Sequence, residues 1–139
     1  MLDMIFRKQT ALQQKTYGIT PAELDPEQRA RYIVEMVTAL NDELHEALAE
    51  TGWKSWASSR HFNRDAYLNE LVDALHFLVN LMLVAETDAY EIIELYERKN
   101  RVNRKRQENG YTGVNEKCAT CHRALDDTNV HCTKEQCAK

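Results

Sequence analysis

A chain of 139 residues, 43% hydrophobic and 29% charged with a net charge of −4, has the size of one compact domain with a small appendage. It holds only 4 glycines and 2 prolines, and none of either between Trp53 and Asn109. That excludes sandwiches and barrels, which need turn residues about every 8–12 positions, and it excludes collagen-like and low-complexity chains.

Four helices and no strand are predicted, in an all-α fold. The first spans about residues 2–16 and stops near Gly18, with Thr20-Pro21 marking the turn. Pro26 opens the second, because a first turn does not need the missing N–H, and Gly52 marks its end near Glu50. Residues 52–63 form a loop carrying Trp53 and Trp56. The third helix runs from about Arg64 to Ala85. The fourth is capped by Thr87 or Asp88, with Asp88 and Glu91 spaced as a capping box, and runs toward Gly110. Residues 1–111 read as one domain and 112–139 as a cysteine-rich tail. The N-terminus lacks the apolar core of a secretory signal. The most apolar stretch, Ala74 to Ala85, is far short of the about 20 residues a bilayer requires. A soluble, cytoplasmic protein with no membrane partner is expected.

The apolar stripe of the second helix (Tyr32 or Ile33, Met36, Leu40, Ala47) is interrupted by Glu43, with Glu46 beside it. The third helix repeats this with Ala66, Glu70, Asp73, Phe77, Leu81 and Val84. From Ala74 onward it is apolar nearly all round, so it belongs at the centre of the bundle or under a partner chain. Carboxylates three apart share a helix face. Two opposed pairs would supply hard oxygen ligands to Mg²⁺ or Mn²⁺, relieving their mutual repulsion. The competing reading is a solvated face, as for Glu91, Glu94 and Glu97, which have the same spacing. On the fourth helix, Ile92 and Tyr96 lead at helical steps into Lys99, Asn103 and Arg106. Such a face can hold a polyphosphate, or it can merely offset the helix dipole. An acidic body with one basic stripe suits a site that handles both a metal and an anion, and disfavours nucleic acid as a partner.

All four cysteines follow residue 117. Cys118-x-x-Cys121 and Cys132-x4-Cys137 suit a closed tetrahedral site for structural Zn²⁺, with His122 and His131 as neighbouring alternatives and a redox pair as the runner-up. Gln9 and Gln13, four apart, can read a base edge or lie exposed. Trp53 and Trp56 either plug the loop onto the core or flank a nucleotide. His76 reads as a core histidine.

Two stretches, Asp42 to Trp56 (DELHEALAETGWKSW) and Asn69 to Phe77 (NELVDALHF), resemble the all-α nucleoside triphosphate pyrophosphatases. The chain is most similar to their dimeric dUTPase branch, related to the MazG proteins. Lys99-Asn-x-x-Asn103-x-x-Arg106-Gln-x-x-Gly110-Tyr111 and Gln9-x-x-Leu-Gln13 add to the likeness, which spans roughly residues 5–111. The resemblance implies a four-helix homodimer that hydrolyses a deoxynucleoside triphosphate to monophosphate and pyrophosphate, dUTP first. It implies Mg²⁺ on Glu43, Glu46, Glu70 and Asp73, with Glu43 activating the water. It assigns Lys99, Asn103, Arg106 and Tyr111 to substrate, and Gln9, Gln13 and Trp53 are the residues expected beside them at the nucleoside. The chain departs from the branch at Gln13, where Asn is typical, and in its cysteine tail. The alternatives are a MazG-like enzyme for dGTP, dCTP or a modified nucleotide, and a non-catalytic zinc-containing nucleic-acid-binding or regulatory protein.

Overall fold

The computed structural model describes residues 1–110 and 117–125. Its elements are α1 (Leu2–Leu12), a π turn (Gln13–Tyr17), a 3-10 turn (Pro21–Glu23), α2 (Pro26–Ala49), α3 (Arg64–Val84) and α4 (Ala89–Glu108). Two isolated antiparallel bridges, Thr51 with Phe62 and Lys117 with Ala124, are the extended pairings among the described residues. The all-α expectation holds, with helix ends within one or two residues of those expected except at α1, whose last turn widens into the π turn. Residues 1–91 form one compact unit and 92–139 a second. The expected boundary at 111/112 falls outside the described residues.

Local chemistry explains each join. Gly18 ends the π turn at φ 66°, a left-handed value that costs glycine nothing. Asp25 then caps α2: its Oδ1 accepts from the N–H groups of Glu27 and Gln28 at 2.9 and 2.8 Å, and Gln28 Oε1 accepts from Asp25 N at 3.2 Å. This reciprocal box, with Pro26 in the first turn, fixes where α2 starts. Between α2 and α3, Gly52 lies so close to the returning loop that a Cβ there would stand 2.7 Å from Arg60 Cα. The Arg60 guanidinium ties the loop together by donating to the carbonyls of Lys54, Ser55 and Ala57 at 2.7, 2.8 and 2.9 Å. Asp88 caps α4 through the N–H groups of Tyr90 and Glu91, both at 2.9 Å. The second half of the expected box differs: Glu91 accepts from the Thr87 hydroxyl at 2.6 Å.

The loop turns α2 back against α3 as an antiparallel helical hairpin, and α1 and the 3-10 turn pack on α3. Met36 opposes Asn80, and seven residues along each helix Glu43 shares a cavity with Asp73. A seven-residue step returns to the same seam, so the register that buries the apolar positions also aligns the carboxylates. The core of this unit is Phe6, Tyr32, Ala47, Ala74, Val79, Val84 and Ala89, together with the polar Gln9, Gln13 and Asn80.

Among the described residues, Val72 and Leu78 of α3 are exposed. Taken whole, the 21 residues of α3 are long and apolar enough to cross a membrane by length and composition, which the shorter count from Ala74 does not reveal. A core helix of a soluble protein passes the same test. In the second unit, Tyr96 is exposed, so the apolar start of the α4 stripe is not covered among the described residues.

Candidate active site

Glu43 and Glu46 face Glu70 across the α2–α3 seam, and one carboxylate oxygen from each lies within 4.8 Å of the others. Opposite oxygens around an octahedral Mg²⁺ are about 4.2 Å apart, so small rotations would bring these three onto one ion. The donor set, all carboxylate oxygen, fits such a hard cation. The electrostatics agree. Glu43 is held above the ordinary carboxylate range, first by burial and then by the charges of Glu46, Asp73, Glu70 and Asp42. Like charges about 4 Å apart repel by about 4 kcal/mol at an effective dielectric of about 20, and a cation is the usual remedy. Asp73 stands outside the close trio but lines the same cavity as Glu43.

That cavity, about 490 Å³, lies among α1, the π turn, α2 and α3. Glu43 and Asp73 line it together with Gln9, Gln13, His76 and Asn80. Its volume and mixed lining are those of a small-molecule pocket. The buried amides are linked. Gln9 Nε2 donates to Asn80 Oδ1 at 2.7 Å, His76 Nδ1 lies 2.6 Å from Gln9 Oε1, and Asn80 Nδ2 donates to Met36 Sδ at 3.3 Å. Separately, the Tyr32 hydroxyl donates to Gln13 Oε1 at 3.2 Å. Burial, with some help from Glu35, pushes that hydroxyl up to about 12, so it stays protonated and able to donate.

Gln9 and Gln13 are therefore buried polar residues of the cavity rather than exposed ones. His76 corrects the expectation of a core histidine: it is exposed and lines the cavity. Trp53 and Trp56 are 51% and 77% exposed and meet edge to face at 6.2 Å, so neither plugs the loop onto the core. Trp53 lines a different cavity, about 390 Å³, with His45, Leu48, Lys54 and His61. Tyr32, Glu35 and Asn80 escaped the sequence reading as site residues. The signal for Asn80 was its seven-residue step from Asp73 on an otherwise apolar face.

Lys99, Asn103 and Arg106 lie on α4 in the second unit, where Asn103 borders a shallow depression with Asn100, Arg104 and Gln107. Tyr111, Cys132 and Cys137, like the alternative ligand His131, lie outside the described residues. Cys118 and Cys121 occupy a tight turn closed by Cys118 N to Arg123 O at 2.8 Å and His122 N to Cys118 O at 2.9 Å. Cys118 Sγ accepts from the N–H groups of Thr120 and Cys121 at 3.4 and 3.5 Å.

A family model described as dUTPase matches residues 1–91. The match ends where the first compact unit ends, so α4 beyond Glu91 and the cysteine tail lie outside it. A dCTP pyrophosphatase of Enterobacteria phage T4 is 48% identical over 42 residues, covering 30% of this chain and 25% of that protein. The chain thus spans a quarter of the length of that relative. No solved structure matches.

Proposed function

Because the chain belongs to the dUTPase family that its first 91 residues match, we propose that it hydrolyses a deoxynucleoside triphosphate to the monophosphate and pyrophosphate. The observation that carries this reading is one cavity running from buried amides to a carboxylate cluster. The amide end suits a nucleoside and the acidic end suits a cation-bound triphosphate. dUTP is the first substrate. dCTP is the second, favoured by the short similarity to the phage dCTP pyrophosphatase.

Glu43, Glu46, Glu70 and Asp73 would hold Mg²⁺ or Mn²⁺, which when bound neutralises phosphate charge and acidifies water. Glu43, the carboxylate made more basic by its surroundings, accepts a proton from the water that attacks the α-phosphorus. The bond to the bridging oxygen breaks, and pyrophosphate leaves with its electron pair. The resemblance assigns the phosphates and nucleoside to Lys99, Asn103, Arg106 and Tyr111. Gln9 and Gln13 serve the nucleoside. Positioning and charge neutralisation suffice for such a transfer.

The tail, residues 112–139, is assigned a structural zinc on Cys118, Cys121, Cys132 and Cys137. The working unit is assigned as a cytoplasmic homodimer: Val34, Val37, Leu44 and Leu48 leave an exposed apolar seam on α2 that a second copy would cover. A pyrophosphate-release panel over dUTP, dCTP, dTTP, dGTP, dATP and the ribonucleotides, with Mg²⁺ or with chelator, tests the activity. Turnover of a pyrimidine deoxynucleotide that chelator abolishes is expected. Silence across the panel would overturn the proposal.

A further inference from the structure

The buried hydrogen bonds fix the polarity of the pocket. A thioether sulfur accepts hydrogen bonds and cannot donate, so Asn80 turns its amide nitrogen toward Met36 Sδ. The Asn80 oxygen therefore faces Gln9, which must present its nitrogen there. The Gln9 oxygen is left toward His76 Nδ1, 2.6 Å away, and an oxygen in that place demands a proton on Nδ1. Gln9 and Asn80 are 3% and 2% exposed, so neither amide can trade these partners for water at low cost. In a neutral imidazole with Nδ1 protonated, Nε2 carries the lone pair. Nε2 makes no hydrogen bond among the described residues, and His76 lines the cavity. Gln13 complements it: its oxygen is taken by Tyr32, so its nitrogen is the group left for a ligand.

We propose that His76 is a specificity-determining residue whose Nε2, locked as an acceptor by the Met36–Asn80–Gln9 chain, takes a hydrogen bond from a donor group on the nucleoside. That group is an N–H of the base edge or the 3′-hydroxyl of the sugar. The inference rests on the nucleotide reading of the cavity. Its first half, the locked tautomer, stands independently of any activity.

The test has two parts. Nitrogen-15 spectra of the His76 ring in the free full-length protein at pH 8 should show Nδ1 protonated and Nε2 bare. The opposite tautomer would overturn the proposal whatever the enzyme turns over. In kinetics, His76→Asn keeps an N–H near the Nδ1 place, and with it the bond to Gln9, but has no atom at Nε2. It should raise KM for the preferred deoxynucleotide about tenfold, as expected for one lost hydrogen bond, with kcat and Tm little changed. His76→Gln, which can place an oxygen near Nε2, should recover part of the loss. Wild-type KM in His76→Asn would overturn the proposal. A 2′,3′-dideoxynucleoside triphosphate separates the two donors: the penalty vanishes with it for the 3′-hydroxyl and persists for the base edge. If no nucleotide is turned over but the tautomer is as stated, the proposed activity fails and the locked ring survives.

Discussion

At the scale of single residues, burial and neighbouring carboxylates both oppose ionisation at Glu43 and Tyr32, and each residue gives a distinct signature. Glu43 binds its proton more tightly in the folded protein than in the unfolded chain. The stability this confers is present below the ordinary carboxylate pKa and is lost as pH rises through the raised value. At neutral pH the metal-free protein therefore carries an unrelieved repulsion. Glu43→Gln should raise Tm in chelator, remove the stabilisation by Mg²⁺ and lower turnover by about 10²–10⁴-fold; calorimetry with and without Mg²⁺, beside pyrophosphate release, checks all three. In the wild type, Mg²⁺ at about 100 times its Kd should add about 2.7 kcal/mol. Tyr32 acts at the other end of the scale. Its folded value of about 12, against the ordinary 10.0 of a tyrosine, means that stability is intact below pH 10 and declines as pH rises toward 12. Tyr32→Phe should abolish that alkaline decline in denaturant titrations, while freeing the Gln13 amide to turn.

At the scale of elements, two short-range devices set the geometry of the α2–α3 hairpin. Asp25→Ala breaks both the cap and its reciprocal bond, and should cost about 1 kcal/mol in denaturant unfolding with little effect on turnover. Arg60 matters differently, because its fork gathers the carbonyls of Lys54, Ser55 and Ala57 onto one side chain. Arg60→Ala should leave the helices intact by circular dichroism, yet red-shift the Trp53 and Trp56 emission and open residues 53–59 to protease. Arg60→Lys would rescue little, since one ammonium cannot span these carbonyls in a fork. The capping residues and Gly52 were legible in the sequence, because caps and close turns have fixed residue chemistry. The role of Arg60 was not, since nothing in its spacing distinguishes a loop staple from a solvated cation.

At the scale of the whole molecule, the proposed dimer and the proposed zinc each add a component to the folded chain. Sedimentation should find a dimer, and metal analysis about one zinc per chain. A monomeric, zinc-free protein would remove both assignments. The family match ends at Glu91, so the basic face of α4 is the part of the proposed site most dependent on mutagenesis. Lys99→Ala and Arg106→Ala are expected to raise KM about tenfold or more, the worth of one lost charge-assisted contact.

The periodicity of the sequence determined the helices, the hairpin and the pairing of Glu43 and Glu46 with Glu70, because a polar residue recurring on an apolar face has nowhere else to go once that face is buried. Hydrogen-bond direction was decided by the tertiary structure alone. Gln9, Met36 and the His76–Asn80 pair come from three helices with no spacing rule linking one helix to another, and an amide shows which end is donor only when a neighbour constrains it. The sequence thus specified where charge would gather, and the packing of α1 onto the hairpin specified which way the pocket's amides face.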